Sequence, residues 1–219
     1  MGYKLRSDLT FCKVGDRAVF LDINYDRYFC LGASANSAFL RLCAREALNT
    51  REKLALSSLC DRGILLADDS PGAPLPCPSL PPAEISCLDG DMPSKATAVF
   101  IAAGWLLRTK FELRHRGLKK MVERLIKIHC TKSEAQDCND IRTASLPFHR
   151  AGLLMTPLDQ CLVRSFALAL ALRRLEITCN LVIGVKVHPF AAHSWVQSGS
   201  VLLNDRIDTV RDFTPILVI

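Results

Sequence analysis

Six prolines fall between Ser70 and Ala83, at positions 71, 74, 76, 78, 81 and 82. Proline fixes φ and has no backbone N–H to donate, so this density forbids helix and sheet ladders and favours extended chain. The chain is therefore expected to divide there, with residues 1–69 as one domain, 70–83 as a linker and 84–219 as a second domain. Of the 219 residues 49% are hydrophobic and 23% charged, enough apolar material for each piece to bury a core.

The first piece opens with three short runs of strand type, Leu9 to Val14, Ala18 to Ile23 and Tyr28 to Leu31. Gly15-Asp16 and residues 24–27 separate them, which reads as a small antiparallel meander. Ser34 or Asn36 is placed to cap a helix bearing Phe39, Leu40, Leu42 and Cys43, and Asn49 or Thr50 to cap another bearing Leu54, Leu56 and Leu59. Arg62-Gly63 ends that helix and Ile64 to Leu66 returns as an apolar segment. The expectation is a winged-helix-like unit suited to binding.

The second piece starts helical from Ser94 to Cys130, with Gly117 as an interruption, and a weaker helical segment follows over Glu134 to Ala144. From Cys161 to Arg174 the chain is apolar nearly all round, the pattern of a buried helix. Strand-like runs follow at Leu181 to Val187, Ala192 to Val196 and Val201 to Asn204, and an apolar Ile216 to Ile219 ends the chain. Helices followed by an antiparallel sheet on a central helix define an α+β fold.

Three residues in this second piece form a chemical pattern. Thr156 and Pro157 suit the start of a helix, which sets Cys161 close to amides and a dipole that favour thiolate. A hairpin symmetric about Gly199 would bring His193 directly opposite Asp205, whereas a bulge or a two-residue loop would send them to opposite faces. Cys161 as nucleophile, His193 as base and Asp205 as its orienting carboxylate make a Cys-His-Asp triad. The Cys161 amide and the Gln160 side chain are candidate oxyanion donors. Each residue also has a plain structural reading, as a buried thiol, a core histidine and a turn-forming aspartate.

Other chemistries find less support. The histidines show no metal-ligand spacing, no GxxxxGK[ST] phosphate loop occurs, and no metal or cofactor is expected. Most of the ten cysteines, which form no CxxC pairs, read as small hydrophobes in a reducing cytoplasm, with Cys12, Cys30, Cys43 and Cys60 assigned no chemistry. No signal peptide precedes them, and the apolar stretch Ala96 to Leu107 is too short to span a membrane, so a cytoplasmic protein without membrane insertion is expected. A basic run, Arg108 to Lys127, contributes to a net charge of +6 and reads as a solvated helix face. Because it lies outside the winged-helix-like unit, nucleic acid is not an expected partner.

Cys161 to Ser165, Leu181 to Val185, Pro189-Phe190, His193 to Val196 and Asn204-Asp205 closely resemble, in order and spacing, the lasso peptide biosynthesis B proteins. The resemblance covers roughly the last 60 residues. It implies a papain-related, transglutaminase-like cysteine peptidase that removes the leader of a lasso precursor and hands a free amine to an asparagine-synthetase-like lasso cyclase. It carries the triad onto Cys161, His193 and Asp205. It further implies a leader-recognition domain in which the leader adds as a strand beside Tyr28, Phe29, Cys30 and Leu31, with a third helix, near Arg51 to Leu59, lining the groove through Leu54 and Leu59. ATP dependence belongs to some such proteins, and no nucleotide motif here accounts for it. Family members often have Gly at Glu176, Ala at Ser194 and Glu at Gln197. An inactive leader-binding adaptor and an acyl transferase of the transglutaminase-like class remain as alternatives.

Overall fold

Between Pro78 and Ser79 the chain parts into two units, Met1–Pro78 and Ser79–Ile219, as seen in a computed structural model that describes residues 2–69, 72–89, 94–128, 138–153 and 161–219. The break falls inside the proline-rich stretch, whose two halves are each held by their own unit. The Cys77 amide donates to the Phe11 carbonyl at 2.7 Å, and the Tyr3 amide to that of Gly72 at 2.9 Å. On the other side of the break Gln197 Nε2 donates to the Pro81 carbonyl at 2.7 Å. Proline keeps its carbonyl as an acceptor, so a chain that cannot enter a ladder is still laid down by single bonds.

In the first unit, β1 (Gly2–Leu5) precedes the meander of β2 (Leu9–Val14), β3 (Arg17–Asp22) and β4 (Arg27–Cys30), ordered β2-β3-β4. Then come α1 (Ala33–Cys43), α2 (Thr50–Asp61) and β5 (Leu65–Asp68), which pairs antiparallel with β1. Strand β1 escapes sequence reading because four residues give too little alternation and their partner lies some sixty positions away. Asn49 caps α2 through a reciprocal box with Glu52, at 2.9 and 2.8 Å. Helix α1, in contrast, is capped by neither Ser34 nor Asn36: Gly32 stands at its N-cap. Asn36 instead accepts from the Ala18 amide and donates to the Asp16 carbonyl, both at 2.8 Å, fixing α1 to the β2–β3 turn. Phe11, Phe20 and Phe39 form the centre of the core, with ring centroids 4.9 to 5.7 Å apart.

The second unit contains β6 (Ile85–Ser86), α3 (Ala96–Ile126), α4 (Cys138–Leu153), α5 (Cys161–Arg174), β7 (Asn180–Val187), β8 (Phe190–Ser198), β9 (Val201–Leu202), α6 (Ile207–Val210) and β10 (Thr214–Val218). Gly117 breaks α3 at φ +73°, ψ 172°, as its place in the sequence suggests. The helical segment expected to stop at Ala144 runs on through Pro147 to Leu153, while residues 134–137 lie outside the described ones. Burial of Ile141, Leu146 and Ala151 outweighs the hydrogen bond that proline cannot make.

The strands form one sheet in the order β10-β7-β8-β9-β6, and α5 packs on β7 and β8. Residues Phe166 to Leu172 are all buried, which accounts for a helix apolar on every side. Past its end Glu176 adopts φ +59°, while the Ile177 amide returns to the Leu172 carbonyl at 2.9 Å. This is the left-handed helix ending that glycine favours, so the glutamate keeps the geometry at a cost in backbone strain.

Candidate functional site

Cys161 is the first described residue of α5; Thr156, Pro157 and Gln160, expected as caps and oxyanion donor, lie outside the described residues. His193 sits in the middle of β8, partly buried, opposite Gly184 of β7. Asp205 follows β9. His193 Nε2 and Asp205 Oδ2 are 2.5 Å apart, and the Cys161 thiol is hydrogen-bonded to His193. With Nε2 engaged by the carboxylate, Nδ1 is the ring nitrogen left for sulfur.

The route to this pairing differs from the expected one. Gln197 pairs with Leu202 and Ser198 with Val201, so the β8–β9 loop has two residues and the hairpin is not symmetric about Gly199. Gly199 takes φ +56° at the first loop position, where glycine is favoured. Continued in that register, the ladder would put Ser194 opposite Asp205 and turn the carboxylate away from His193. Instead the ladder stops. The Leu203 amide makes its last backbone bond, to the Val196 carbonyl at 2.9 Å, and the Asn204 side chain then takes the place of backbone.

Asn204 Oδ1 accepts from the Val196 amide at 2.8 Å and Nδ2 donates to Ser165 Oγ at 3.0 Å, while Ser165 Oγ donates to the Ser194 carbonyl at 2.9 Å. One side chain thus ends the ladder and ties it to α5. Freed from the register, residue 205 reaches the histidine. Its backbone carbonyl accepts from Ser86 Oγ at 2.7 Å and its Oδ1 from the Arg206 amide at 2.8 Å, leaving Oδ2 for the imidazole.

Electrostatics favour charge separation in the pair. Burial alone would lower the His193 pKa, but hydrogen bonds to Asp205 and Cys161 and the charges of both push it up to about 9 from an ordinary 6.5. Burial alone would raise the Cys161 pKa. The interaction with His193, the neighbouring Ser194 hydroxyl and amide, and the imidazolium charge outweigh burial and hold the thiol below its ordinary value. The Ser194 hydroxyl is itself buried and has no hydrogen-bond partner among the described residues. Both shifts favour thiolate and imidazolium over the neutral pair.

Aromatic rings hold the imidazole on its remaining sides, Phe213 at 5.4 Å and Trp195 at 6.3 Å between centroids. A Cβ at Gly184 would meet two Trp195 ring carbons at 2.8 Å and Phe213 Cβ at 2.9 Å, so glycine is what lets both rings close over the strand. Sequence reading missed Ser165, Ser194, Asn204 and Phe213. Only Asn204, adjacent to Asp205, had a signal, and it was that of a turn former.

The residues expected to line a leader groove differ in exposure. Among the described residues β4 is an edge strand, bonded only to β3, and carries Tyr28, Phe29 and Cys30, with Leu31 just after it. The Phe29 ring, however, stacks on Phe20 at 5.0 Å in the core. Helix α2, expected as a third helix, is the second among the described residues of its unit; its Leu54 is exposed, but Leu59 is 1% exposed in the core and can line no groove. An amphipathic helix alternates such leucines between faces, and spacing alone does not say which face is the outer one. Among the described residues no group of three His, Cys, Asp or Glu could hold a metal ion, and no helix is long and apolar enough to cross a membrane.

A family model described as the transglutaminase-like superfamily matches residues 105–218. The microcin J25-processing protein McjB of Escherichia coli is 45% identical over 47 residues, which are 22% of this chain and 23% of that protein. The chain therefore aligns with less than a quarter of that relative's length. No solved structure matches.

Proposed function

This chain belongs to the transglutaminase-like superfamily, and from that membership and the hydrogen-bonded line Cys161–His193–Asp205 we propose that it is a cysteine peptidase that removes the leader of a lasso precursor peptide. The observation that carries the chemistry is the histidine, bonded on one side to a carboxylate and on the other to a thiol of lowered pKa. The precursor as substrate rests on the partial likeness to a microcin-processing protein and on the resemblance of the last 60 residues.

In the proposed reaction the Cys161 thiolate attacks the last leader carbonyl. The oxyanion forms beside the Cys161 amide, and His193 gives its proton to the departing core amine. Water then enters, His193 takes its proton, and the thioester opens to a leader carboxylate and the original thiolate. Asp205 keeps Nδ1 facing sulfur and stabilises the cation throughout. The proton balance closes without a nucleotide or a metal. The first unit would hold the leader along the β4 edge and raise the local concentration of the scissile bond at Cys161. The freed amine would pass to a lasso cyclase of the asparagine-synthetase-like kind for ring closure.

Mass spectrometry of a lasso precursor encoded beside this chain, incubated with wild type and with Cys161→Ala, tests the reading. Leader and core are expected as separate masses with wild type alone. Cleavage by the variant would overturn the mechanism, and binding without cleavage by wild type would make the chain a leader-binding adaptor.

A further inference from the structure

The basic run of α3 plays no part in the reaction above, yet it borders an unusual surface. Phe100, Leu107 and Phe111 are each more than 60% exposed, and Gly104 between them has open space where a Cβ would stand. Their spacing, four, three and four, places them in one stripe about 16 Å long, the d-a-d-a seam of a coiled-coil helix. The opposite face of α3 is the one already used, since Ala102, Leu106 and Thr109 are buried. A monomeric surface seldom leaves two phenylalanines and a leucine in line with water.

Beside the seam, Ile101 is 65% exposed and leads into an apolar groove of about 280 Å³ between α3 and α4, lined by Trp105, Pro147, Phe148 and Leu175 among others. A seam with an adjoining pocket offers both a stripe for a helix and a socket for one large side chain.

Charge decides what kind of helix. The flanking e and g positions hold Arg108 and Lys110, and Arg114 continues the seam at the next d position. Arg108 pairs with Glu112 at 2.9 Å, but that carboxylate is shared with Arg124, so one negative charge serves two guanidinium groups. A second copy of α3 laid parallel would set these cations against their own kind. We infer that this face of α3 docks an amphipathic helix of a partner protein, one whose apolar seam is flanked by Asp and Glu. The basic run then acts as a selector of that partner as well as a solvated face.

The test uses the full chain and two synthetic 28-residue helices, both with Leu at a and d, one with Glu and the other with Lys at e and g. Fluorescence anisotropy should show the Glu helix binding and the Lys helix not. Leu107→Ser with Phe111→Ser should weaken the Glu helix about thirtyfold or more. Arg108→Glu with Lys110→Glu should reverse the preference, an outcome that misfolding cannot imitate, and circular dichroism should find all variants equally helical. Equal binding of the two helices, or binding that survives loss of the seam, overturns the inference. So does seam-dependent dimerisation in sedimentation, which would make the occupant a second copy. Seam-dependent adsorption to phosphatidylglycerol vesicles with no helix bound would make it a membrane surface instead.

Discussion

Ser194 stands beside the sulfur as Asp205 stands beside the imidazole. Its hydroxyl and amide both lie near the Cys161 sulfur and favour the thiolate. Ser194→Ala should therefore raise the thiol pKa while leaving the His193–Asp205 bond intact. Thiolate absorbance near 240 nm, followed against pH, should move its midpoint upward, and an unmoved midpoint would deny the serine this role. The basic side of the profile belongs to His193. Because its folded pKa is raised to about 9, kcat/KM should fall as pH climbs through about 9. The sign for stability is the same: what the pairing contributes is complete below 6.5 and is lost as pH rises through about 9. Residue types at this scale were legible. Cys161, His193 and Asp205 come together, because a thiol, an imidazole and a carboxylate spaced over a helix and two strands have few other reasons to be hydrogen-bonded in line. Leu59 was misjudged because burial depends on which side of a helix the rest of the chain covers.

Elements tell the opposite story about what can be read. His193 and Asp205 meet, but not through the symmetric hairpin expected of them. A two-residue loop sets a register that would separate His193 from Asp205, and the Asn204 side chain rescues the contact by ending the ladder. Side-chain substitution for backbone leaves no periodic trace, so nothing in the pattern of residues 190–205 announces it. Asn204→Ala should leave the Val196 amide without its acceptor, let Asp205 drift, and lower kcat about a hundredfold, with the basic limb of the pH profile moving down. A rate within a factor of a few of wild type would mean Asp205 is held by Ser86 and Arg206 alone. Helix endings obey simpler rules. Glu176 holds a left-handed backbone, so Glu176→Gly should stabilise the chain by about 1 kcal/mol in urea unfolding, with unchanged cleavage. Strand β1 and the extension of α4 past Pro147 were both hidden for one reason, that distant packing decided them.

For the whole molecule, the proline-rich stretch announced two units, and each owns a core: Phe11, Phe20 and Phe39 in one, the α5 helix and its sheet in the other. Phe39→Ala should cost the first unit about 3–5 kcal/mol and weaken the proposed leader capture. The Cys161–His193 pair should survive it, and a thiolate lost along with leader binding would mean that the cores fold as one. Cysteine burial is also divided across the molecule. Burial pushes the Cys12 thiol up to about 12 and that of Cys43 to about 11, and raises Cys60 as well, whereas Cys161 moves the other way. A scarce electrophile at neutral pH should therefore find Cys161 first, with exposed Cys30 as the internal comparison. The fraction alkylated then counts how many molecules in a preparation carry an assembled site, with no substrate needed to count them.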